Sequence, residues 1–139
     1  ETGAAALAVA RTNAQRMGLQ RVDCLQSDWY QALGGQRFNL LLSNPPYVDP
    51  DDLHLRHGDL RFEPRAALAA DRGGVADLET LVAGAPSHLS GGGWLLLEHG
   101  FTQGDEVRAL LRDRGFSAVS THADIGGQER ISGGCWHAE

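Results

Sequence analysis

An apolar run, Phe38-Asn39-Leu40-Leu41-Leu42-Ser43, stops at Asn44-Pro45-Pro46-Tyr47. That junction constrains the chain more than any other stretch. The run has the length and character of a buried strand. Regular structure does not continue through two consecutive prolines, because each fixes its own φ and lacks an N–H. Each also holds the residue before it in extended geometry. The strand therefore ends in a rigid corner where residues 45 and 46 offer no amide donor. What remains are acceptors, the Asn44 side-chain oxygen and nearby carbonyls, with an aromatic ring beside them. A planar NH2 group, which needs two acceptors and a flat face, suits such a corner. Strand ends are also where open α/β sheets bind ligands. The bland alternative is a stiff turn after a core strand.

The rest of the chain supplies the frame. Residues 2–18 read as a helix, with Leu7, Ala10, Ala14 and Met17 on one stripe, Thr2 placed to cap it and Gly18 to end it. Residues 22–26 alternate like a short strand, followed by Ser27-Asp28-Trp29-Tyr30 and a turn at Gly34-Gly35. Residues 48–70 are polar and irregular, and a connection this long is usually functional or mobile. The spacing predicts a helix over 77–89, shortened or kinked by Pro86, and then a break at Gly91-Gly92-Gly93. A buried strand is expected over 94–98 and a helix over 102–114, ended by Gly115. Two last strands, 116–121 and 131–137, flank a Gly-rich link at 124–128. Helices alternating with strands, then two adjoining strands, give a mostly parallel α/β sheet closed by an antiparallel hairpin.

Composition narrows the function classes. The chain has 139 residues, 42% hydrophobic and 22% charged, which fits one domain, 1–139, with a real core. No apolar run approaches the ~20 residues of a membrane span. A net charge of −6 disfavours nucleic acid as partner, which usually meets a basic face. Cys24 and Cys135 form no C-x-x-C, so a reducing, cytoplasmic setting is the default. The chain opens at Glu1 with no Met, no leader and no strand before the first helix, so it is expected to begin inside a domain.

Several constellations carry less chemistry. Asp28-Trp29 follows a strand candidate; its carboxylate can accept from an exocyclic amine and its indole can stack on a base, or the pair is a helix cap with a packing Trp. Glu1 precedes a helix; with a strand leading into that helix it would occupy the position where an acidic residue bonds ribose hydroxyls, and otherwise it is a frayed terminus. His54 and His57 lack an H-E-x-x-H or cysteine partners, so no metal site is expected. Gly91-Gly92-Gly93 lacks the Lys-Ser/Thr of a P-loop, and no G-x-S-x-G elbow occurs. Glu98-His99-Gly100 ends a strand and either lines a cleft or is a satisfied strand end.

Asn44-Pro45-Pro46-Tyr47 after an apolar strand is similar to the motif of Rossmann-like, S-adenosylmethionine-dependent methyltransferases that act on planar nitrogens. Gln26-Ser27-Asp28-Trp29, Ser43 to Val48, Gly58-Asp59-Leu60-Arg61-Phe62-Glu63-Pro64 and Leu95-Leu96-Leu97-Glu98-His99-Gly100 follow in the order that resembles bacterial release factor glutamine methyltransferases. The resemblance covers essentially the whole chain. It implies a Rossmann-like class I methyltransferase sheet with an antiparallel C-terminal hairpin, here truncated before the first strand and the glycine-rich motif I. It implies methylation, from S-adenosylmethionine with S-adenosylhomocysteine as product, of the glutamine in the Gly-Gly-Gln motif of peptide chain release factors. The partner is then a protein, with no membrane and a monomeric enzyme. Carried over by position, Glu1 resembles the ribose-binding acid, though Asp is commoner there, and Trp29 with Asp28 the adenine-side contact. Asn44 resembles the residue touching cofactor and substrate, and Asn44, Pro45, Pro46 and Tyr47 the glutamine-binding corner, with Asn44, Pro45 and Tyr47 catalytic. Residues 48–64, with Asp49, Asp51, Asp52 and Asp59, are expected to help dock the protein substrate. Without motif I, the chain alone is expected to bind cofactor poorly and to be inactive.

The alternatives are methylation of a ribosomal-protein glutamine, methylation of an exocyclic amine of adenine or guanine, and an inactive fragment or binding module. Gly34-Gly35-Gln36 and Gly126-Gly127-Gln128 repeat the substrate tripeptide but fall in turns, where Gly is ordinary. No strong general base is evident beside the corner, so catalysis is expected to rest on positioning.

Overall fold

The computed structural model describes residues 1–47 and 74–138. They fall into two compact units, Glu1–Gln36 and Arg37–Glu139. The 48–64 segment, with its four aspartates and two histidines, lies outside the described residues.

In the first unit, α1 spans Ala4–Arg16. Its N-cap is Gly3, not Thr2, and no side chain caps it. Glu1 does the nearest equivalent, its Oε1 accepting the Gly3 amide at 2.7 Å. The helix ends at Gly18 as expected: the Gly18 and Leu19 amides turn back to the carbonyls of Gln15 and Ala14. Of the predicted stripe only Leu7 is buried, and Met17 is 71% exposed, because this small unit offers α1 little to pack against. Residues 22–26 are not a strand, since among the described residues no strand pairs with them to supply a ladder. Polar side chains hold this stretch instead. Arg11 donates to the Cys24 carbonyl at 3.0 Å, and Gln26 Nε2 donates to the Thr2 carbonyl at 3.0 Å. A 3₁₀ turn, Gln31–Leu33, closes the unit.

The second unit carries a four-stranded sheet with α2 (Val75–His88) and α3 (Gly104–Asp113) packed against it. Its strands are β1 (Phe38–Ser43), β2 (Leu89–Glu98), β3 (Ser117–Ala123) and β4 (Glu129–Trp136), in the order β1-β2-β4-β3. β1 runs parallel to β2; β4 is antiparallel to both β2 and β3. The expected parallel pair and terminal hairpin are therefore present, each within two residues of its predicted bounds except for β2.

That strand starts at Leu89, because the glycine triplet does not break it. Phe38 pairs with Leu89 and Leu40 with Trp94, so two steps on β1 oppose five on β2. The glycines form the bulge between those pairs. A Cβ on Gly93 would sit 3.0 Å from the Phe38 carbonyl oxygen, so the close strand approach there requires glycine. Pro86 does not shorten α2 either. It falls in the last turn, and the Arg37 guanidinium takes over the freed end, donating to the Leu89 carbonyl at 2.8 Å and the Pro86 carbonyl at 3.3 Å.

The core lies on one face of the sheet: Leu95 and Leu97 of β2 are buried on the side of α2, with its Leu78, Leu81, Val82 and Ala85, and Val107 and Leu111 of α3 are buried over β3 and β4. Side chains alternate along a strand, so Leu40, Leu42 and Trp94 point the other way. Leu42 is 69% exposed, and β1 is thus half-exposed rather than the buried strand its apolar run suggests. That run reads as fully buried because leucines occupy both faces.

A polar chain crosses the helix side of the hairpin. Arg108 Nη1 donates to Thr121 Oγ1 at 2.6 Å, Thr121 and Ser132 hydroxyls lie 2.7 Å apart, and Ser132 Oγ is 2.8 Å from His99 Nε2. His99 Nδ1 meets the Gly100 carbonyl at 2.9 Å. One end of the chain can only donate and the other can only accept. With a neutral imidazole, each hydroxyl therefore donates toward His99, and the ring proton sits on Nδ1. Arg108 is anchored in turn by Glu129 and Asp105. Ser132→Ala is expected to cost about 1–3 kcal/mol, because His99 and Thr121 lose a buried partner. Denaturant unfolding checks this, and a loss under about 0.5 kcal/mol would contradict it.

Candidate active site

β1 and β2 end side by side. Ser43 pairs with Leu97, so the next step along both strands sets Asn44 beside Glu98. Alternation puts both on the face of Leu42 and Leu96, away from the helices. There Leu42, Ser43, Asn44, Leu96, Glu98 and Ile131 line a cavity of about 250 Å³. Pro45 is fully buried and anchors the corner, while Asn44 stays exposed. Tyr47 is half-buried, and its hydroxyl donates to Glu98 Oε1 at 3.1 Å. Burial raises the Tyr47 phenol above its ordinary pKa; Glu98 adds to the rise and Arg130 opposes it. Tyr47 is therefore a donor that stays protonated.

Gly74, the N-cap of α2, supports the corner from behind. Its φ is +83°, and a Cβ there would lie 2.8 Å from Tyr47 Cα and also overlap the Pro46 carbonyl oxygen. The position thus demands glycine twice, for its left-handed backbone and for the space. Sequence reasoning passed over it. The one signal was a Gly-Gly pair just ahead of a strong helical stretch.

Glu98 and His99, left open between a cleft and a satisfied strand end, divide the two roles. Glu98 lines the cavity, and His99 is fully buried in the polar chain. The sequence does not point to Glu98 as a neighbour of the corner, because it lies 51 residues from Tyr47. The structure brings it there.

The predicted cofactor-side residues lie in the first unit. The Ser27 amide donates to the Glu1 carbonyl at 3.0 Å, which brings Glu1 to the Ser27-Asp28 stretch. Thr2, Gln26, Ser27, Asp28, Gln31 and Ala32 line an open cavity of about 400 Å³. Asp28 contributes its carboxylate, whose Oδ2 accepts from Gln31 Nε2 at 3.3 Å. Glu1 and Trp29 are not among the lining residues. Trp29 is half-buried with φ +44°, an unusual backbone for a bulky residue, and Ser27 Oγ donates to its carbonyl at 2.9 Å. Burial pushes the neighbouring Tyr30 phenol up to about 12. Among the described residues no group of His, Cys, Asp and Glu could hold a metal ion, and no helix is long and apolar enough to cross a membrane.

Comparison with known proteins meets this geometry from the other side. The chain is 50% identical over 131 residues to the release factor glutamine methyltransferase of Pseudomonas aeruginosa, covering 94% of this chain and 48% of that protein. It is 52% identical over 135 residues to that of Bordetella pertussis, covering 96% and 50%. The chain thus spans about half the length of the curated relatives it matches. A solved protein-(glutamine-N5) methyltransferase from Alicyclobacillus acidocaldarius superposes with a TM-score of 0.47 at 28% identity, over 78% of this chain and 54% of that one. The relatives are of the kind the motifs resemble, and the mixed sheet with its antiparallel terminal hairpin goes with a family model of methyltransferase type, a class I methyltransferase-like fold. The methyltransferase small domain model matches residues 1–74, more than half of the chain and the part that includes the Asn-Pro-Pro-Tyr corner, so this chain belongs to the methyltransferase small domain family.

Proposed function

We propose that this chain is the catalytic part of an enzyme that methylates the side-chain nitrogen of the Gly-Gly-Gln glutamine in peptide chain release factors. The observation that carries the reading is the corner at the end of β1, open to a cavity and bonded to the end of β2. Relatives named for that reaction match along nearly the whole chain, which supports reading residues 1–139 as one catalytic domain.

S-adenosylmethionine is the methyl donor in this reading. The open cavity at Asp28 suits its nucleoside part, with a carboxylate for an amine and the Gln26 amide close by. Asp28, Trp29 and Glu1 are the residues proposed for that side, Glu1 through its carboxylate to the ribose. At the corner, Asn44 Oδ1 and the Pro45 carbonyl accept the two N–H bonds of the glutamine amide, and Pro46 holds the turn. Tyr47, its hydroxyl held by Glu98, would stack on the amide plane and would supply ~0.5–2 kcal/mol of cation–π attraction to a sulfonium bound near it. Holding nitrogen, methyl carbon and sulfur in line supplies up to about 7–11 kcal/mol. The accepting bonds strengthen as the nitrogen gains positive character, which is differential binding of the transition state. Release factors are the proposed partners, met as a monomer in the cytoplasm.

The test offers the intact gene product containing this chain labelled cofactor with a release factor, a ribosomal protein and nucleic acid in parallel. Label is expected on the release factor alone, and lost when its Gly-Gly-Gln glutamine is replaced. Label on nucleic acid instead would overturn the reading.

A further inference from the structure

We infer that Glu98 is the proton acceptor of the methyl transfer. The inference rests on the proposed function in one respect only, that the methyl acceptor is a planar NH2 nitrogen.

The chemistry demands a place for a proton. As the methyl carbon leaves sulfur, its bonding pair stays on sulfur, and the nitrogen lone pair forms the new N–C bond. The nitrogen then carries two hydrogens and one methyl group with a positive charge. An amide in that state has lost its resonance. Taking one N–H proton while the N–C bond forms keeps that charge partial, which is the work of a general base. Asn44 Oδ1 and the Pro45 carbonyl can accept hydrogen bonds, but neither can keep a proton at neutral pH. Among the residues lining the corner cavity, Glu98 alone has a side chain that can.

Its placement fits the task. Glu98 stands one register step past the Ser43–Leu97 pair, on the same face as Asn44, across the roughly 4.8 Å that separate neighbouring strands. The Tyr47 hydroxyl occupies Oε1, and Oε2 has no hydrogen-bond partner among the described residues. The phenol is itself no candidate, since burial and Glu98 keep its proton on. Arg130 is engaged elsewhere: its Nε donates to Asp124 at 3.1 Å and its guanidinium lies 5.8 Å from the Phe101 ring centre. His99, the next residue, is turned into the buried chain with Ser132. The carboxylate is thus oriented by one bond and left with a free oxygen toward the cavity. The transfer then balances. The S–C bond breaks, the N–C bond forms, the N–H pair returns to nitrogen, and the proton of the N–H on the Asn44 side passes to Glu98, Asn44's neighbour across the strands, and later to water.

The test compares Glu98→Gln, Glu98→Asp and Tyr47→Phe in the intact gene product, on whichever NH2 acceptor the wild-type protein methylates. Glutamine keeps an oxygen that can accept from Tyr47, but it cannot hold a proton. Glu98→Gln is expected to lower kcat about 10²–10⁴-fold with KM for the acceptor and calorimetric cofactor affinity nearly unchanged. Glu98→Asp, which keeps a carboxylate, is expected to retain more activity than Glu98→Gln, and Tyr47→Phe to fall less than Glu98→Gln. If Glu98 only orients Tyr47, Glu98→Gln performs at least as well as Glu98→Asp, or falls no further than Tyr47→Phe, and either result overturns the inference. Should Glu98→Gln melt early, the ranking of Glu98→Asp against Tyr47→Phe decides: an aspartate variant more active than the phenylalanine variant supports proton acceptance, and the reverse overturns it. Turnover on an acceptor other than glutamine counts against the proposed function and leaves these ratios readable. A wild-type protein that methylates no NH2 group overturns both.

Discussion

Asn44→Ala in the intact gene product is expected to lower kcat by about 10²–10³-fold while cofactor affinity falls far less. The side chain is exposed at the lip of the cavity, and the corner is anchored by Pro45 instead. Removing the Asn44 carboxamide therefore takes away an acceptor without unpacking the fold. Its hydrogen bond to the substrate N–H strengthens as positive charge builds on nitrogen, so the loss falls on the chemical step. Steady-state kinetics with calorimetry separate the two effects. An unchanged kcat would remove Asn44 from the proposed mechanism, and a matching loss of cofactor affinity would reassign it to binding.

Gly74→Ala is expected to damage both stability and turnover. The left-handed backbone alone costs alanine about 1–2 kcal/mol. The added methyl overlaps the Pro46 carbonyl oxygen, so Pro46 and Tyr47 must shift toward the cavity. Misplacing reacting groups by about 1 Å can cost on the order of 10²-fold in rate. Gly18→Ala is the matched control, with φ +67° and nothing within 4 Å of the added methyl. It shares the backbone cost and spares the corner. Thermal unfolding and kcat are measured for both. Equal effects on kcat would show that the contact behind the corner does not govern it.

Where periodicity and local chemistry agreed, the sequence was legible. α2 and α3 carry apolar residues on one stripe, and the terminal hairpin has a turn whose Asp124 carboxylate accepts the Gly126 and Gln128 amides. Those Gln128 and Arg130 bonds hold its pKa below the ordinary carboxylate value. The corner itself was readable because proline acts locally. Features set by distant partners were not. Residues 22–26 alternate correctly, but a strand exists only where another strand offers a ladder. The glycine triplet is a break in one dimension and a bulge once Phe38 lies beside it. Leucines on both faces of β1 hide which face is covered. Glu98 acquires meaning only when the fold sets it against Tyr47, 51 positions earlier in the chain.

The buried chain from Arg108 to Gly100 has one more consequence. Hydroxyl rows usually have two equivalent arrangements, with every proton pointing one way or the other. Here, with a neutral imidazole, a guanidinium at one end and a carbonyl at the other leave a single arrangement, so the row carries no residual proton disorder. Flipping any member would set two donors or two acceptors face to face. The imidazole is thereby committed as a spacer in that row and has no ring nitrogen left over for chemistry. A strand end that holds both a glutamate and a histidine thus has only one side chain free to act in the cavity, and it is the glutamate.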